Sequence, residues 1–165
     1  LIRTIADAVG KPDAGEALVK RTQEQIDQAK KQIAAWKPAK PMRVAFLYVR
    51  GSAGVFFILG SENGASELIQ GVGADDVASD KGITTLVPAN AESLVSINPD
   101  AIFVMRDGLA STGGMKGLLA RAGVANTTAG RKQRVISIPD GISLSFGPQT
   151  GEVLTAVAKA LYGVK

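Results

Sequence analysis

Residues 43–59 read RVAFLYVRGSAGVFFIL. From 43 to 49 the chain is apolar almost without interruption. It then breaks into Gly-Ser-Ala-Gly and resumes as a second apolar run over 55–59. A short continuous apolar run bounded by glycines predicts a strand buried on both faces, and strands of that kind belong to sheets covered by helices. The ending is what needs explanation. A strand that only builds a core has no use for a tyrosine, one spacer and an arginine at its carboxyl end.

The rest of the chain supports the same architecture. Helical spacing is expected over 63–70, closed by Gly71, and a weak strand over 84–87 ahead of Pro88. A short helix opened by Asn90 and closed by Asn98-Pro99 leads to a fully apolar strand over 101–105. A helix over 114–121 precedes Gly123, a strand covers 135–138, and residues 149–162 form an amphipathic helix with Val153, Leu154, Val157, Ala158 and Leu161 on one face. Apolar strands alternating with amphipathic helices predict an α/β fold: a mostly parallel or mixed sheet with helices on both faces.

The amino-terminal 37 residues read differently. Ile2, Ile5, Ala6 and Val9 recur at helical spacing, and Gly10 is a stop signal. Pro12-Asp13 followed by Glu16 resembles a capping box, and no further proline occurs until Pro38, which pushes Lys37 out of the α region. The helix between them would run about 36 Å. Its apolar stripe (Leu18, Ile26, Ala29, Ile33, Trp36) is thin. Such a helix suits a connection across two bodies, although an ordinary surface helix carries the same pattern. The expected division is residues 1–10 as the end of a preceding lobe, 11–37 as a long connecting helix and 38–165 as an α/β lobe.

Composition narrows the chemistry. The 165 residues contain no Cys and no His, so thiolate or imidazole metal sites, Cys nucleophiles and a Ser-His-Asp triad cannot be made from this chain alone. The net charge of +4 comes from cations strung along the long helix and its linker (Lys20, Arg21, Lys30, Lys31, Lys37, Lys40, Arg43) and from one loop (Arg131, Lys132, Arg134). Aromatic residues are 5% and do not interleave with them, which argues for solvated faces and against a nucleic-acid partner. No G-x-G-x-x-G or G-K-[ST] element is present, and Asp75-Asp76 and Asp107 form no acid/base pair in sequence, which argues against a small nucleotide-binding enzyme.

In open α/β sheets, ligands bind beyond the carboxyl ends of the strands. Three Gly/Ser-rich loops leave such ends here: 48–54, 106–112 (RDGLAST) and 139–146 (PDGISLSF). In an extended strand Tyr48 and Arg50 share a face, about 7 Å apart at the backbone. A free phenol ionises near about pH 10. A ferric ion favours the anionic oxygen, a guanidinium stabilises the same anion, and tyrosine is a known axial ligand of haem iron. The pair therefore suits a tyrosinate on Fe(III) with Arg50 holding the charge. An amphipathic strand-end tyrosine beside a solvated arginine has the same spelling.

Three longer segments, VRGSAGVFFILGSENGASELIQ, ESLVSINPDAIFVMRDGLASTGGMKGLLARAGVANTTAGR and LSFGPQTGEVL, together resemble the C-terminal lobe of haem ABC-transporter substrate-binding proteins, most closely the actinobacterial lipoprotein type. The resemblance runs the length of the chain. It implies two α/β lobes joined by one long helix, with ferric haem in the cleft between them. It makes Tyr48 the axial ligand and Arg50 its support. Ser52, Phe56, Arg106, Ser111 and Phe146 become possible porphyrin or propionate contacts. Glu92, in AESLVSINPD, matches the acidic residue with which such lobes meet the membrane permease. The histidine that the family's other lobe supplies has no counterpart here. An extracytoplasmic, lipid-anchored carrier follows from the resemblance, and not an enzyme. The alternatives are a lobe of the same fold for a siderophore or cobalamin, and a module that binds protein only.

Overall fold

The computed structural model describes residues 1–52, 54–141 and 147–165. Two helices open the chain, α1 (Ile2–Ala8) and α2 (Pro12–Trp36). They are followed by β1 (Arg43–Arg50), β2 (Val55–Ile58), a 3-10 turn (Ser61–Asn63), α3 (Ala65–Gly71), β3 (Asp75–Asp76) and α4 (Val77–Asp80). The chain continues through β4 (Val87–Pro88), α5 (Ala91–Ile97), β5 (Ala101–Met105), α6 (Arg106–Ser111) and α7 (Gly114–Leu119). A second 3-10 turn (Val124–Asn126), α8 (Thr128–Arg131), β6 (Val135–Ile138) and α9 (Thr150–Tyr162) complete it.

The expected α/β class is what the structure has, with a mixed sheet in the order β4-β2-β1-β5-β6. β1, β5 and β6 run parallel, whereas β2 returns antiparallel to β1 and β4 is antiparallel to β2. The two-residue β3 pairs in parallel with Arg43 and Val44 at the start of β1. Side chains alternate across β1. Val44 and Phe46 enter the core that α2, α3 and α9 cover, and Ala45, Leu47 and Val49 enter the one that α4, α5 and α7 cover. Phe46 meets Phe103, its partner in register, edge to face with ring centroids 6.4 Å apart.

Several local expectations change. Asp13 does not cap α2: the N-cap is Lys11, and Asp13 lies in the first turn, where a carboxylate suits the helix dipole. Glu16 instead reaches Arg3 of α1, with Nε to Oε1 at 2.5 Å. The thin stripe of α2 is buried on this lobe, with Ala29 and Ile33 in the core beside α9. Gly151 permits the close approach, since a Cβ there would stand 2.8 Å from the Gln25 carbonyl oxygen. Arg43 is not simply solvated. Its guanidinium donates to the Ile97 and Asn98 carbonyls at 2.8 and 3.0 Å, satisfying the open end of α5.

The segment 106–112, expected as a loop, is helical over Arg106–Ser111, because the chain turns directly from β5 into α6. The strand expected over 84–87 contracts to Val87–Pro88. In α5, by contrast, Asn90 and Ser93 form a reciprocal capping box and Asn98 closes the helix at φ 36°. Tyr162 closes α9 against α3, donating its hydroxyl to the Val72 carbonyl at 2.7 Å, and burial raises its pKa above the usual phenol value. Replacing fully buried Phe103 with Ala is expected to cost about 3–5 kcal/mol of unfolding free energy, read by urea denaturation.

Candidate functional site

The parallel arrangement brings the carboxyl ends of β1, β5 and β6 to one edge of the sheet, and the chain leaves each end through a functional-looking segment. β1 ends at Tyr48 and Arg50, both half-buried. Val49, between them, points into the opposite core. The Arg50 guanidinium carbon lies 5.1 Å from the centroid of the Tyr48 ring. Its hydrogen bonds run elsewhere: Nη1 donates to the Val49 carbonyl at 3.3 Å, and Nη2 to Asp140 Oδ1 at 2.8 Å and, at 3.8 Å, to the Met105 sulfur. The cation thus sits against the face of the phenol ring with one arm held by a carboxylate.

Asp140, two residues past β6, is the counterpart. Its Oδ2 accepts the Asp107 backbone N–H at 2.8 Å, from the first turn of α6. Burial pushes this carboxyl up, but the Asp107 N–H and the Arg50 guanidinium outweigh it and hold the group below its ordinary value. Gly108 makes room for the arrangement. A Cβ there would stand 2.4 Å from Arg50 Nη1 and 2.5 Å from the Val49 carbonyl oxygen, so this position on α6 accepts no side chain while Arg50 lies where it does.

The glycine turn after Arg50 is tied down from two sides. Ser111 Oγ accepts the Gly51 N–H at 2.9 Å and donates to the Gly108 carbonyl at 2.8 Å. Arg121 donates from Nη2 to the Gly51 carbonyl and from Nε to Thr112 Oγ1 at 3.2 Å. Its guanidinium carbon is 5.2 Å from the Phe56 ring centroid. Gly51 and Gly54 have φ values of 63° and 81°, a backbone that side chains with a Cβ rarely adopt.

The residues expected around a ligand divide by sheet face. Tyr48 pairs with Phe57, so those two share a side, and Phe56, opposite Val49, points to the other and is buried beneath Arg121. Phe57, half-exposed, is thus the aromatic beside Tyr48, and Phe56 supports the turn from behind. Ser52 and Arg106 are exposed at the same edge, Ser52 in the turn and Arg106 as the first residue of α6. Ser111 is part of the turn's scaffold, and Phe146 lies outside the described residues. Glu92 is exposed in the first turn of α5. It follows Pro88, which pairs with Phe57 as Phe57 pairs with Tyr48, so it lies at the same end of the sheet. Among the described residues, no group of three or more acidic, His or Cys side chains gathers as a metal site.

Sequence reasoning missed Asp140, Gly108 and Arg121. Pro139-Asp140-Gly141 spells an ordinary turn, which hid the carboxylate, and nothing in the spacing of Gly108 or Arg121 announces a partner more than 50 residues away.

Two outcomes follow from this geometry. Gly108→Ala is expected to displace Arg50 or α6 and to cost about 1–3 kcal/mol, as overpacking does, read by denaturation and by the position of Arg50 in a crystal structure of the variant. The Arg50–Asp140 pair has a defined pH window. Since the folded Asp140 value is lowered, the pair's contribution is complete above the ordinary carboxylate value of about 4 and is lost as pH falls through the lower folded value. A pH titration of the Asp140 carboxyl carbon by NMR should find its midpoint below about 4, and should find it higher in Arg50→Ala.

The model of the periplasmic binding protein family matches residues 1–141. Among solved structures, the haem-binding protein HmuT is 49% identical, with 99% of this chain and 53% of that chain covered at a TM-score of 0.96. HmuT has also been solved as alanine variants of a tyrosine, of an arginine two positions further on, and of a histidine. The periplasmic haem-binding protein RhuT from Roseiflexus sp. RS-1 is 35% identical over 98% of this chain and 60% of its own, with a TM-score of 0.92. BhuT, a periplasmic haem-binding protein solved in complex with two haems, is 31% identical over 98% and 60%, with a TM-score of 0.88. No curated protein matches the chain. The chain spans about half to three fifths of the length of these solved relatives. By the family model and by its likeness to HmuT, the chain belongs to the periplasmic binding protein family.

Proposed function

We propose that this chain forms one lobe of an extracytoplasmic carrier of ferric haem, a binding protein and not a catalyst, in which Tyr48 ligates the iron and Arg50 balances the phenolate charge. One observation carries the reading: Arg50 stacks on the ring of Tyr48 at the carboxyl edge of the sheet. The spacing of the two residues is that of the tyrosine and arginine replaced in HmuT.

The donor set fits the group. A phenolate oxygen is a hard donor suited to Fe(III), and a tyrosine needs a nearby cation to ionise near neutral pH. Phe57 offers an apolar surface on the same face, and exposed Arg106 and Ser52 stand at the same edge for the propionates. Haem is cargo here, so binding has to be reversible, and a site half-open at one edge of a sheet suits release as well as capture. The chain contains no histidine, so an imidazole on the far side of the iron would belong to a second lobe.

In the two-lobed protein, α1 would close the preceding lobe and α2 would join the two. The exposed Ile5 of α1 and its exposed flanking residues Leu1 and Val9 are consistent with a covered face there. Glu92, exposed at the same end of the sheet as Tyr48, is the residue proposed to meet the arginines of an ABC permease. The placement outside the cytoplasm rests on relatives described as periplasmic, and the lipid anchor on the family resemblance.

Titration of the chain with ferric haem, followed by absorbance, tests the reading. Binding should weaken at least about tenfold in Tyr48→Phe, which is roughly 1.4 kcal/mol, and less in Phe57→Ala. Equal affinity of native protein and Tyr48→Phe would contradict the ligand assignment. Binding of a ferric siderophore in preference to haem would replace the cargo.

A further inference from the structure

We infer that Asp140 is a positioning residue for the haem site, acting through Arg50 by fixing where its guanidinium stands and by compensating its charge. The inference rests on the proposed role of Tyr48 and Arg50 and adds to it a residue that neither the motif nor the spacing indicated.

Asp140 joins the three strand ends that form the site. It stands on the segment leaving β6. Its Oδ1 holds the arginine that ends β1, and its Oδ2 holds the Asp107 N–H in the first turn of α6, directly after β5. A free arginine side chain samples many rotamers, and ordering it costs entropy. Here one arm of the guanidinium is fixed at 2.8 Å by a carboxylate whose other oxygen is fixed by backbone, and Gly108 clears the space that the guanidinium occupies. The result is a cation held 5.1 Å from the Tyr48 ring centroid before any ligand arrives. Groups that bond to a metal ligand from behind orient it and tune its basicity in this manner.

The carboxylate also bears on strength. A phenolate beside an uncompensated guanidinium gives up electron density to it, which weakens its donation to iron. A phenolate beside an arginine already paired with Asp140 keeps more. Position and charge can be separated by substitution. Asp140→Asn, with its one oxygen towards Arg50, keeps that acceptor and removes the negative charge, at the loss of the bond from the Asp107 N–H. Asp140→Ala removes both and releases Arg50.

The expected signatures have opposite signs. In the ferric haem complex, the tyrosinate-to-iron charge-transfer band should move to higher energy in Asp140→Asn, because Arg50 then pulls fully on the oxygen. It should move to lower energy in Asp140→Ala, towards its position in Arg50→Ala. Haem affinity in Asp140→Ala should fall about 10- to 100-fold, the usual effect of losing such a support, with no further fall when Asp140→Ala is added to Arg50→Ala. A loss of stability alone would shift both variants alike, so shifts of the same sign, or additive losses in the double variant, overturn the inference. A readout without haem keeps this separate from the haem assignment itself. Rotation of the Arg50 guanidinium, followed by 15N NMR in the ligand-free protein, should be slow in the native chain and fast in Asp140→Ala. Rotation equally fast in both would overturn the inference even if haem binds; the predicted difference without haem binding would establish that Asp140 positions Arg50 and would place the failure in the haem assignment.

Discussion

The guanidinium of Arg50 is the point at which strand order becomes a site. Three parallel strands, β1, β5 and β6, end side by side, and nothing in a parallel sheet requires the segments beyond those ends to meet. Here they do. Arg50 closes β1 and donates to Asp140 beyond β6, and Asp140 in turn accepts from Asp107 beyond β5. The same guanidinium covers the Tyr48 ring. Gly108 is bare because Arg50 needs the volume, and the Gly51 turn is pinned by Ser111 and Arg121 so that the end of β1 cannot fray.

Below this edge the lobe is an ordinary two-layered core divided by the sheet. The alternation of β1 sends Phe46 to one side and Leu47 to the other, both fully buried, and polar side chains emerge only at its two ends, Arg43 at the start and Tyr48 with Arg50 at the carboxyl edge. The antiparallel β2 matters to function because it sets Phe57, and not Phe56, beside Tyr48. An error of one residue in register would exchange the two rings between the site and the core.

Much of this was legible in the sequence. The continuous apolar runs gave β1 and β5, the glycines gave the turn, and Asn90 with Asn98 marked α5 at both ends, because each signal is local. The period-2 rule placed Tyr48 and Arg50 on one face. Strand pairing was beyond that reach, so a mixed sheet was left open and the sequence could not tell which of Phe56 and Phe57 stands beside Tyr48. Residues 106–112 were expected as a loop because Gly and Ser suggest turns, yet α6 forms there by packing against the strand ends. Asp140 was invisible for the same reason: its meaning lies in Arg50, 90 residues earlier in the chain.

The central claim is that this edge holds ferric haem through the oxygen of Tyr48. Resonance Raman spectroscopy of the haem-loaded chain, excited in the charge-transfer region, tests it most directly. The account predicts enhanced tyrosinate ring and iron–oxygen modes that shift on isotopic labelling of tyrosine and vanish in Tyr48→Phe. A haem complex whose spectrum shows no tyrosinate modes, or keeps them in Tyr48→Phe, would contradict it.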